Sequence, residues 1–217
     1  MANRLALPPL YVILDAALLP SDPMEFVKRL LGAGARLFQY RNKAAPAREV
    51  LQAAHALNVT VLQEGGSFLV NDRPDIARLV GANGVHVGQD DLDVAAARAI
   101  VDSEAVVGIS THNLEQFKAA TDTDADYIAV GPVFETRSKV KPDPIVGLEL
   151  IRQARKLTNK PIVAIGGITL ERAAEVLAAG ADSLAVISDI LAAKNPAARV
   201  RQYLEILPAA APKPAQN

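Results

Sequence analysis

Short apolar runs alternate with longer amphipathic stretches along most of the chain. The short runs, rich in Val, Ile and Leu, have the length of strands, and the longer Ala/Leu-rich stretches repeat with helical periodicity. Strands are predicted at Leu10–Leu14, Leu37–Arg41, Ser67–Val70, Val85–Val87, Val106–Ile109, Tyr127–Val130, Ile162–Ile165 and Leu184–Ile187. Helices are predicted at Pro23–Ala33, Ala47–Glu64, Val94–Val101, Leu114–Ala120, Leu148–Lys156, Leu170–Ala178 and Asn195–Ile206.

Strand followed by helix, repeated along the chain, predicts an α/β fold with an all-parallel sheet. Eight such units suit a closed barrel better than an open, doubly wound sheet. We therefore predict a single-domain (β/α)8 TIM barrel over residues 1–207 and a disordered, Pro/Ala-rich tail over residues 208–217. Gly32, Gly34 and Gly180 are predicted to end helices, and Thr169 to be a simple N-cap.

Length, charge and cysteine content narrow the functional classes. The chain has 217 residues, enough for one barrel, and 23 basic against 24 acidic residues give a net charge of −1. With this balance the chain has no excess of basic residues for binding nucleic acid or an anionic membrane. An anionic ligand therefore needs basic groups placed locally around it. The absence of cysteine excludes disulfides, thiolate chemistry and Cys-ligated zinc. Without a secretory signal or an apolar spanning segment, we expect a cytoplasmic enzyme.

The second predicted strand ends in a run of polar residues, where barrels of this kind build their active sites. Period-2 alternation places Gln39, Arg41 and Lys43 on one face, with Phe38 and Tyr40 on the other. If the polar face points into the barrel mouth, an amide and two cations meet there. A solvated strand end remains the alternative.

The third and fourth predicted strands end near acidic residues, Asp72 and Asp91. These strands should be neighbours, so the two carboxylates can approach one point, and they would repel each other without a cation between them. Oxygen ligands without thiolates suit Mg²⁺. The alternative for either Asp alone is a helix N-cap, the role expected for Asp90 and Asp93. His86, within the strand, is expected to be a packed, hydrogen-bonded histidine.

The later predicted strands are also followed by polar residues. Ser110 could donate to a phosphate oxygen, and His112 is a candidate acid/base group. Hydroxyls at Thr136 and Ser138, followed by Lys139, suggest a polar clamp on a mobile loop over residues 139–146. Gly166–Gly167 and Ser188 follow the last two strands, where this fold commonly binds phosphate.

Seven motifs in order give the chain a specific resemblance over roughly Leu10–Leu204. They are QYRNK at Gln39–Lys43, NDR at Asn71–Arg73, GVHVGQDD at Gly84–Asp91, GISTHN at Gly108–Asn113, GPVFETRSK at Gly131–Lys139, GGI at Gly166–Ile168 and VIS at Val186–Ser188. Together they resemble the thiamine phosphate synthase family. Members of that family join a hydroxymethylpyrimidine diphosphate to a thiazole phosphate, which can be a carboxylated form, and release diphosphate by Mg²⁺-assisted ionisation.

The resemblance also implies roles for individual residues. The pyrimidine diphosphate would be bound by Gln39, Tyr40, Arg41, Asn42, Lys43, Asn71, Ser110 and Lys139. The thiazole phosphate would be bound by Thr136, Arg137, Ser138, Gly167, Ile187 and Ser188. One Mg²⁺ would be held by Asp72 and Asp91, and the catalytic residues would be Arg41, Lys43, Ser110 and Lys139.

Two other readings use the same barrel. A thiazole tautomerase would bind a thiazole phosphate without diphosphate or metal, with His112 as its acid/base group. A non-catalytic barrel would only bind thiamine phosphate. In each case the partners are small molecules, and the sequence leaves open whether the chain forms a homo-oligomer.

Overall fold

Eight parallel strands close into a barrel in a computed structural model that describes residues 7–136 and 143–207. Each strand pairs with its neighbours in sequence, and β1 also pairs with β8. The predicted TIM barrel is confirmed, and each predicted strand is present with ends shifted by at most two residues. The strands are β1 (Leu10–Asp15), β2 (Leu37–Arg41), β3 (Ser67–Asn71), β4 (Gly84–Val87), β5 (Val106–Thr111), β6 (Tyr127–Val130), β7 (Ile162–Ile165) and β8 (Ser183–Val186).

Helices connect the strands and surround the barrel. They are α1 (Pro23–Gly32), α2 (Ala47–Gln63), α3 (Pro74–Val80), α4 (Val94–Ile100), α5 (Leu114–Thr121), α6 (Gly147–Arg155), α7 (Leu170–Ala178), α8 (Ser188–Leu191) and α9 (Pro196–Ile206). The short helices α3 and α8 were not predicted because they have too few residues to show helical periodicity. None of the helices in the described ranges has the length and apolar character needed to cross a membrane.

Side chains alternate between the two faces of each strand and form two apolar layers. One layer, which includes Val12 and Phe38, packs between the strands and the surrounding helices. The other, which includes Tyr11, Ile13 and Leu69, fills the barrel interior. The strands are thus buried on both faces, as parallel strands covered by helices should be.

Three acidic or amide residues tie the amino ends of neighbouring strands together. In each case the backbone N–H donates to the carbonyl oxygen of a residue near the start of the preceding strand, and the side chain accepts the backbone N–H of that same strand residue. The three residues are Asn83, Asp126 and Asp182. For Asp126 both bonds go to Val107, at 2.8 and 2.9 Å. These two-bond contacts, the amino-end clamps, precede β4, β6 and β8 and so recur at every second strand.

The predicted helix ends are only partly observed. Gly34 and Gly180 have positive φ angles of 108° and 114°, as predicted, but Gly32 is the last residue of α1 and lies outside the left-handed region. Asp93 caps α4 as predicted, accepting the N–H of Ala96. Thr169 stands at the N-cap position of α7 but forms no side-chain capping bond.

Candidate active site

A cavity of about 320 Å³ opens at the carboxyl ends of the strands. Its floor is the barrel interior, where Ile13, Val163 and Ala185 give it apolar contacts. Polar side chains from the strand ends and the following loops form its rim. The predicted site residues that line it are Gln39, Arg41, Lys43, Asn71, Asp72, Ser110, Thr136 and Ile187.

Two cations at the end of β2 are each paired with a carboxylate. Arg41 donates to Asp15, which ends β1 directly beside it in the parallel register and is largely buried. Lys43 Nζ lies 2.6 Å from Asp72 Oδ2, and about half of the Lys43 side chain is exposed. The Arg41 guanidinium is therefore held in place by the fold, whereas Lys43 has freedom to rearrange around a ligand.

The two predicted metal ligands come together above β3 and β4. Burial raises the pKa of Asp72, and the Asp91 carboxylate, within hydrogen-bonding reach, raises it further, while Lys43 opposes the shift. Asp91 Oδ2 also accepts the N–H of Gly88 at 2.8 Å. Asp72 has a left-handed φ of 62°, which is unusual for a residue with a side chain and aims its carboxylate at this point.

Such a pair of close carboxylates calls for a positive charge between them. Mg²⁺ characteristically takes one or two protein carboxylates and completes its shell with phosphate oxygens and water. Over residues 7–136 and 143–207, no group of three or more His, Cys, Asp or Glu side chains forms a fuller metal site. The residues present therefore fit a Mg²⁺ ion that shares its shell with a phosphorylated ligand.

The loops after β6 and β7 pack backbone against backbone on the other side of the cavity. A Cβ atom on Gly167 would lie 2.4 Å from the Glu135 carbonyl oxygen, so only glycine allows this approach. Arg172 fastens the two loops together, because it donates to the Gly167 carbonyl at 2.9 Å and stacks over the Phe134 ring at 4.5 Å.

His112 links the end of β5 to the loop after β6. Its Nδ1 donates to the carbonyl oxygen of Gly131 at 2.6 Å, and its Nε2 lies 3.6 Å from the Asp143 carboxylate. Both ring nitrogens thus have partners within the protein, although His112 and Asp143 also line the cavity.

Not every predicted site residue reaches the cavity. Tyr40 packs into the layer between strands and helices, where its hydroxyl accepts a hydrogen bond from Asn42. Neither of these residues lines the cavity, and the same holds for Gly167 and Ser188, which lie in the surrounding loops and helix. The predicted metal ligand Asp91 does not line the cavity either, although its carboxylate reaches that of Asp72. Asp90, expected to cap a helix, lines the cavity instead. Arg137, Ser138 and Lys139 lie outside the described residues, as does half of the predicted mobile loop, residues 139–142.

A hydrogen-bonded set of side chains lies on the cavity floor. It confirms the prediction of a hydrogen-bonded His86, whereas the contribution of Tyr11 and Tyr127 was not predicted. Gln39 Nε2 donates to Tyr11 Oη at 2.7 Å, and the Tyr11 and Tyr127 hydroxyls lie 3.1 Å apart. His86 bridges Tyr127 and Ser110, with both contacts at 2.8 Å. We call these five residues the interior relay. Its one sequence signal is Gly108, a glycine within a strand, because a Cβ there would lie 2.0 Å from the Tyr127 ring.

The fold and the cavity define a class: a (β/α)8 barrel enzyme that acts on small molecules at the carboxyl ends of its strands. A family model described as thiamine monophosphate synthase matches residues 10–190. The chain therefore belongs to the thiamine monophosphate synthase family, and it is a transferase of thiamine biosynthesis.

Individual relatives agree with the family assignment. A thiamine-phosphate synthase from Koribacter versatilis is 49% identical over 212 residues, which span 95% of this chain and 99% of that protein. One from Methanospirillum hungatei is 41% identical, over 91% of this chain and 97% of the relative. The solved thiamine phosphate pyrophosphorylase from Pyrococcus furiosus has a TM-score of 0.82 at 35% identity and covers 91% of this chain and 94% of its own.

Proposed function

We propose that this synthase joins a hydroxymethylpyrimidine diphosphate to a thiazole phosphate and releases diphosphate with the help of Mg²⁺. The observation that carries the proposal is the position of Arg41, Lys43 and Asp72 together at one side of the cavity mouth, with the Asp91 carboxylate within hydrogen-bonding reach of Asp72. Cations beside a carboxylate pair that needs a metal are the groups required to bind a diphosphate.

The pyrimidine half of the reaction is assigned to the β2, β3 and β5 side of the cavity. Gln39 and Ser110 lie on the floor, where a flat ring can enter, and Arg41, Lys43 and Asn71 stand above them at the rim. This order supports a binding mode with the ring inside the barrel and the diphosphate at its mouth. Lys139 keeps its proposed role as a further diphosphate contact. The placement of Tyr40 and Asn42 outside the cavity argues against direct contact for those two residues.

The thiazole phosphate is assigned to the opposite side. Thr136 and Ile187 line the cavity there, next to the close-packed loops that contain Gly166 and Gly167. Glycines with positive φ leave backbone N–H groups accessible to an anion. Ser188, which begins α8, and Arg137 and Ser138 complete the proposed contacts.

The proposed chemistry is an ionisation: the C–O bond to diphosphate breaks, and the thiazole nitrogen captures the resulting pyrimidine methyl cation. Bound Mg²⁺ would stabilise the negative charge on the departing diphosphate. Arg41, fixed by Asp15, and the more mobile Lys43 add positive charge at the same place. The apolar side chains of the floor, Ile13, Val163 and Ala185, would help to keep water from capturing the cation. No nucleophilic side chain is required.

The direct test is to measure diphosphate release with both substrates, with and without a chelator. We expect release only when both substrates and the metal are present. Asp72→Asn should lower kcat/KM by about a hundredfold or more, since losing one charged group at such a site removes about 3 kcal/mol of transition-state stabilisation. Asp93→Asn is the matched control, because Asn caps a helix as well as Asp does. Full activity in chelator would overturn the metal assignment.

A further inference from the structure

The interior relay connects five strands through an unbroken series of side-chain hydrogen bonds. Its members come from β1, β2, β4, β5 and β6, and Tyr11 and Tyr127 are almost completely buried. The Tyr127 ring stacks on His86, with centroids 5.5 Å apart, and meets the Tyr11 ring edge-on. The geometry therefore fixes the positions of the hydroxyl oxygens and ring nitrogens and leaves only the hydrogens and the orientation of the Gln39 amide to be arranged.

The hydrogens in the relay are limited in number. Burial raises the pKa of both Tyr11 and Tyr127 well above the usual tyrosine value, so each keeps its one hydroxyl hydrogen. A neutral imidazole donates through one nitrogen and accepts through the other. Every inner bond of the relay must therefore run in the same direction, because a reversal leaves either a buried hydrogen without an acceptor in the relay or two hydroxyl oxygens 3.1 Å apart with no hydrogen between them.

Two arrangements satisfy this condition. In the first, Gln39 Nε2 donates to Tyr11, which donates to Tyr127, as the Gln39 contact is assigned in the structure. Tyr127 then donates to His86 Nδ1, so His86 Nε2 carries the proton and donates to Ser110. The Ser110 hydroxyl hydrogen is then free to point into the cavity as a donor. At the other end of the relay, Gln39 Oε1 faces the cavity as an acceptor.

In the second arrangement, the Gln39 amide turns over and every bond reverses. Ser110 then donates to His86 Nε2, and the imidazole proton sits on Nδ1. The amide N–H groups of Gln39 then face the cavity as donors, and the Ser110 oxygen faces it as an acceptor. In both arrangements one end of the relay offers a donor while the other offers an acceptor.

We propose that Tyr11, Tyr127 and His86 are positioning residues that force Gln39 and Ser110 to present opposite hydrogen-bonding groups to the ring on the cavity floor. The first arrangement matches an aminopyrimidine edge, whose amino group donates and whose ring nitrogen accepts. This step rests on the proposed function, because it assumes that the pyrimidine ring enters beside Gln39 and Ser110. The coupling between the two ends is a property of the free protein and is tested without any ligand.

The test is to read the protonated nitrogen of His86 by nitrogen-15 NMR of the imidazoles in the free, full-length protein. The chain has only 3 histidines, so His86 is assigned by its loss in His86→Asn. In the wild type we expect the proton on Nε2. In Gln39→Glu at about pH 8, where a carboxylate is ionised and can only accept, we expect it on Nδ1. Gln39→Met, which offers Tyr11 no acceptor, is the matched control and should keep it on Nε2.

Tyr127→Phe cuts the relay in the middle and removes only one oxygen atom. In that background, Gln39→Glu should no longer move the His86 proton. The proposal is overturned if His86 is doubly protonated in the wild type, if Gln39→Glu leaves the proton on Nε2, or if the change persists without the Tyr127 hydroxyl. It is also overturned if Gln39→Met moves the proton, because the effect would then not depend on an acceptor.

A kinetic measurement connects the relay to the substrate. Tyr127→Phe should raise KM for the pyrimidine diphosphate about tenfold, as expected for losing one oriented hydrogen bond, and change KM for the thiazole phosphate less than twofold. Equal changes in both would contradict a positioning role. If the wild type shows no turnover, the proposed function fails, whereas the His86 proton position still decides whether the relay is coupled.

Discussion

Single side chains at the cavity mouth depend on partners that the neighbouring strand supplies. Arg41 is the example: its guanidinium is held by Asp15, whose second oxygen accepts the N–H of Ala17 and so fixes the carboxylate in turn. An arginine anchored in this way could bind the proposed diphosphate without first losing side-chain freedom.

We predict that Asp15→Asn lowers kcat/KM about tenfold because Arg41 loses the charge that orients it. The measurement is steady-state kinetics together with a melting curve, which should show a folded protein. Asp75→Asn is the control, since Asp75 forms an exposed ion pair with Arg73 and such pairs contribute little. A similar loss of activity in both variants would argue against a specific role for Asp15.

Gly108 has a comparable supporting role on the cavity floor. We predict that Gly108→Ala destabilises the protein by about 1–3 kcal/mol, because the added methyl group overlaps the Tyr127 ring and overpacks the interior. Urea unfolding measures the change. Gly32→Ala is the comparison, because nothing lies within 4 Å of a Cβ atom there and alanine favours the helix, so stability should hold or rise slightly.

At the scale of elements, the amino-end clamps hold neighbouring strands in register on the side opposite the active site. Two of the clamps are further joined to arginines, Asp126 to Arg98 and Asp182 to Arg155. Because parallel strands lack direct turns, such contacts at strand starts help to fix how each strand meets the next. Because these clamps lie at the amino ends of the strands, the carboxyl ends remain available for the functional site.

We predict that Asp126→Ala lowers the free energy of unfolding by about 3 kcal/mol, since it removes a charge-assisted bond to Val107 N–H and leaves Arg98 without its carboxylate partner. Activity of the folded fraction should be unchanged. Asp102→Ala breaks the more exposed pair with Arg78 and should cost less than about 1 kcal/mol. Equal losses of unfolding free energy in the two variants, measured by urea unfolding, would show that the clamp contributes no more than a surface ion pair.

For the whole molecule, the barrel gathers into one cavity residues that lie far apart in sequence. A ligand that binds this assembled cavity and not the unfolded chain must stabilise the entire fold. Inorganic diphosphate with Mg²⁺ resembles the proposed leaving group and its metal, so it serves as a probe of the mouth without either substrate.

We predict that Mg²⁺ and diphosphate together raise the melting temperature by several degrees, because about 2.7 kcal/mol is gained at a hundredfold excess over Kd. Either component alone should have a smaller effect. Asp91→Asn should remove the part of the shift that depends on Mg²⁺, while diphosphate alone still acts through the cations. A shift that is the same with and without Mg²⁺ would contradict a shared metal site.

Several features of the fold and the site were predictable because they are recorded locally in the chain. Apolar runs of strand length mark all eight strands, and alternation correctly separates Gln39 and Arg41 from Phe38 and Tyr40. The same alternation argues against Tyr40 as a substrate contact. The family resemblance implied that role, whereas the strand face of Tyr40 puts its side chain in the outer layer. Short α3 and α8 escaped because they have too few residues to show a period.

What the sequence determined by itself is the order of the elements and the polar character of each strand end, since both depend only on neighbouring residues. Which of these groups touch was decided by closure of the barrel. Tyr11 and Tyr127 are 116 positions apart and look like ordinary apolar strand residues, yet their hydroxyls meet in the interior. Only the packing of strands around a common axis brings such side chains together, because a contact between distant residues leaves no periodic trace along the chain.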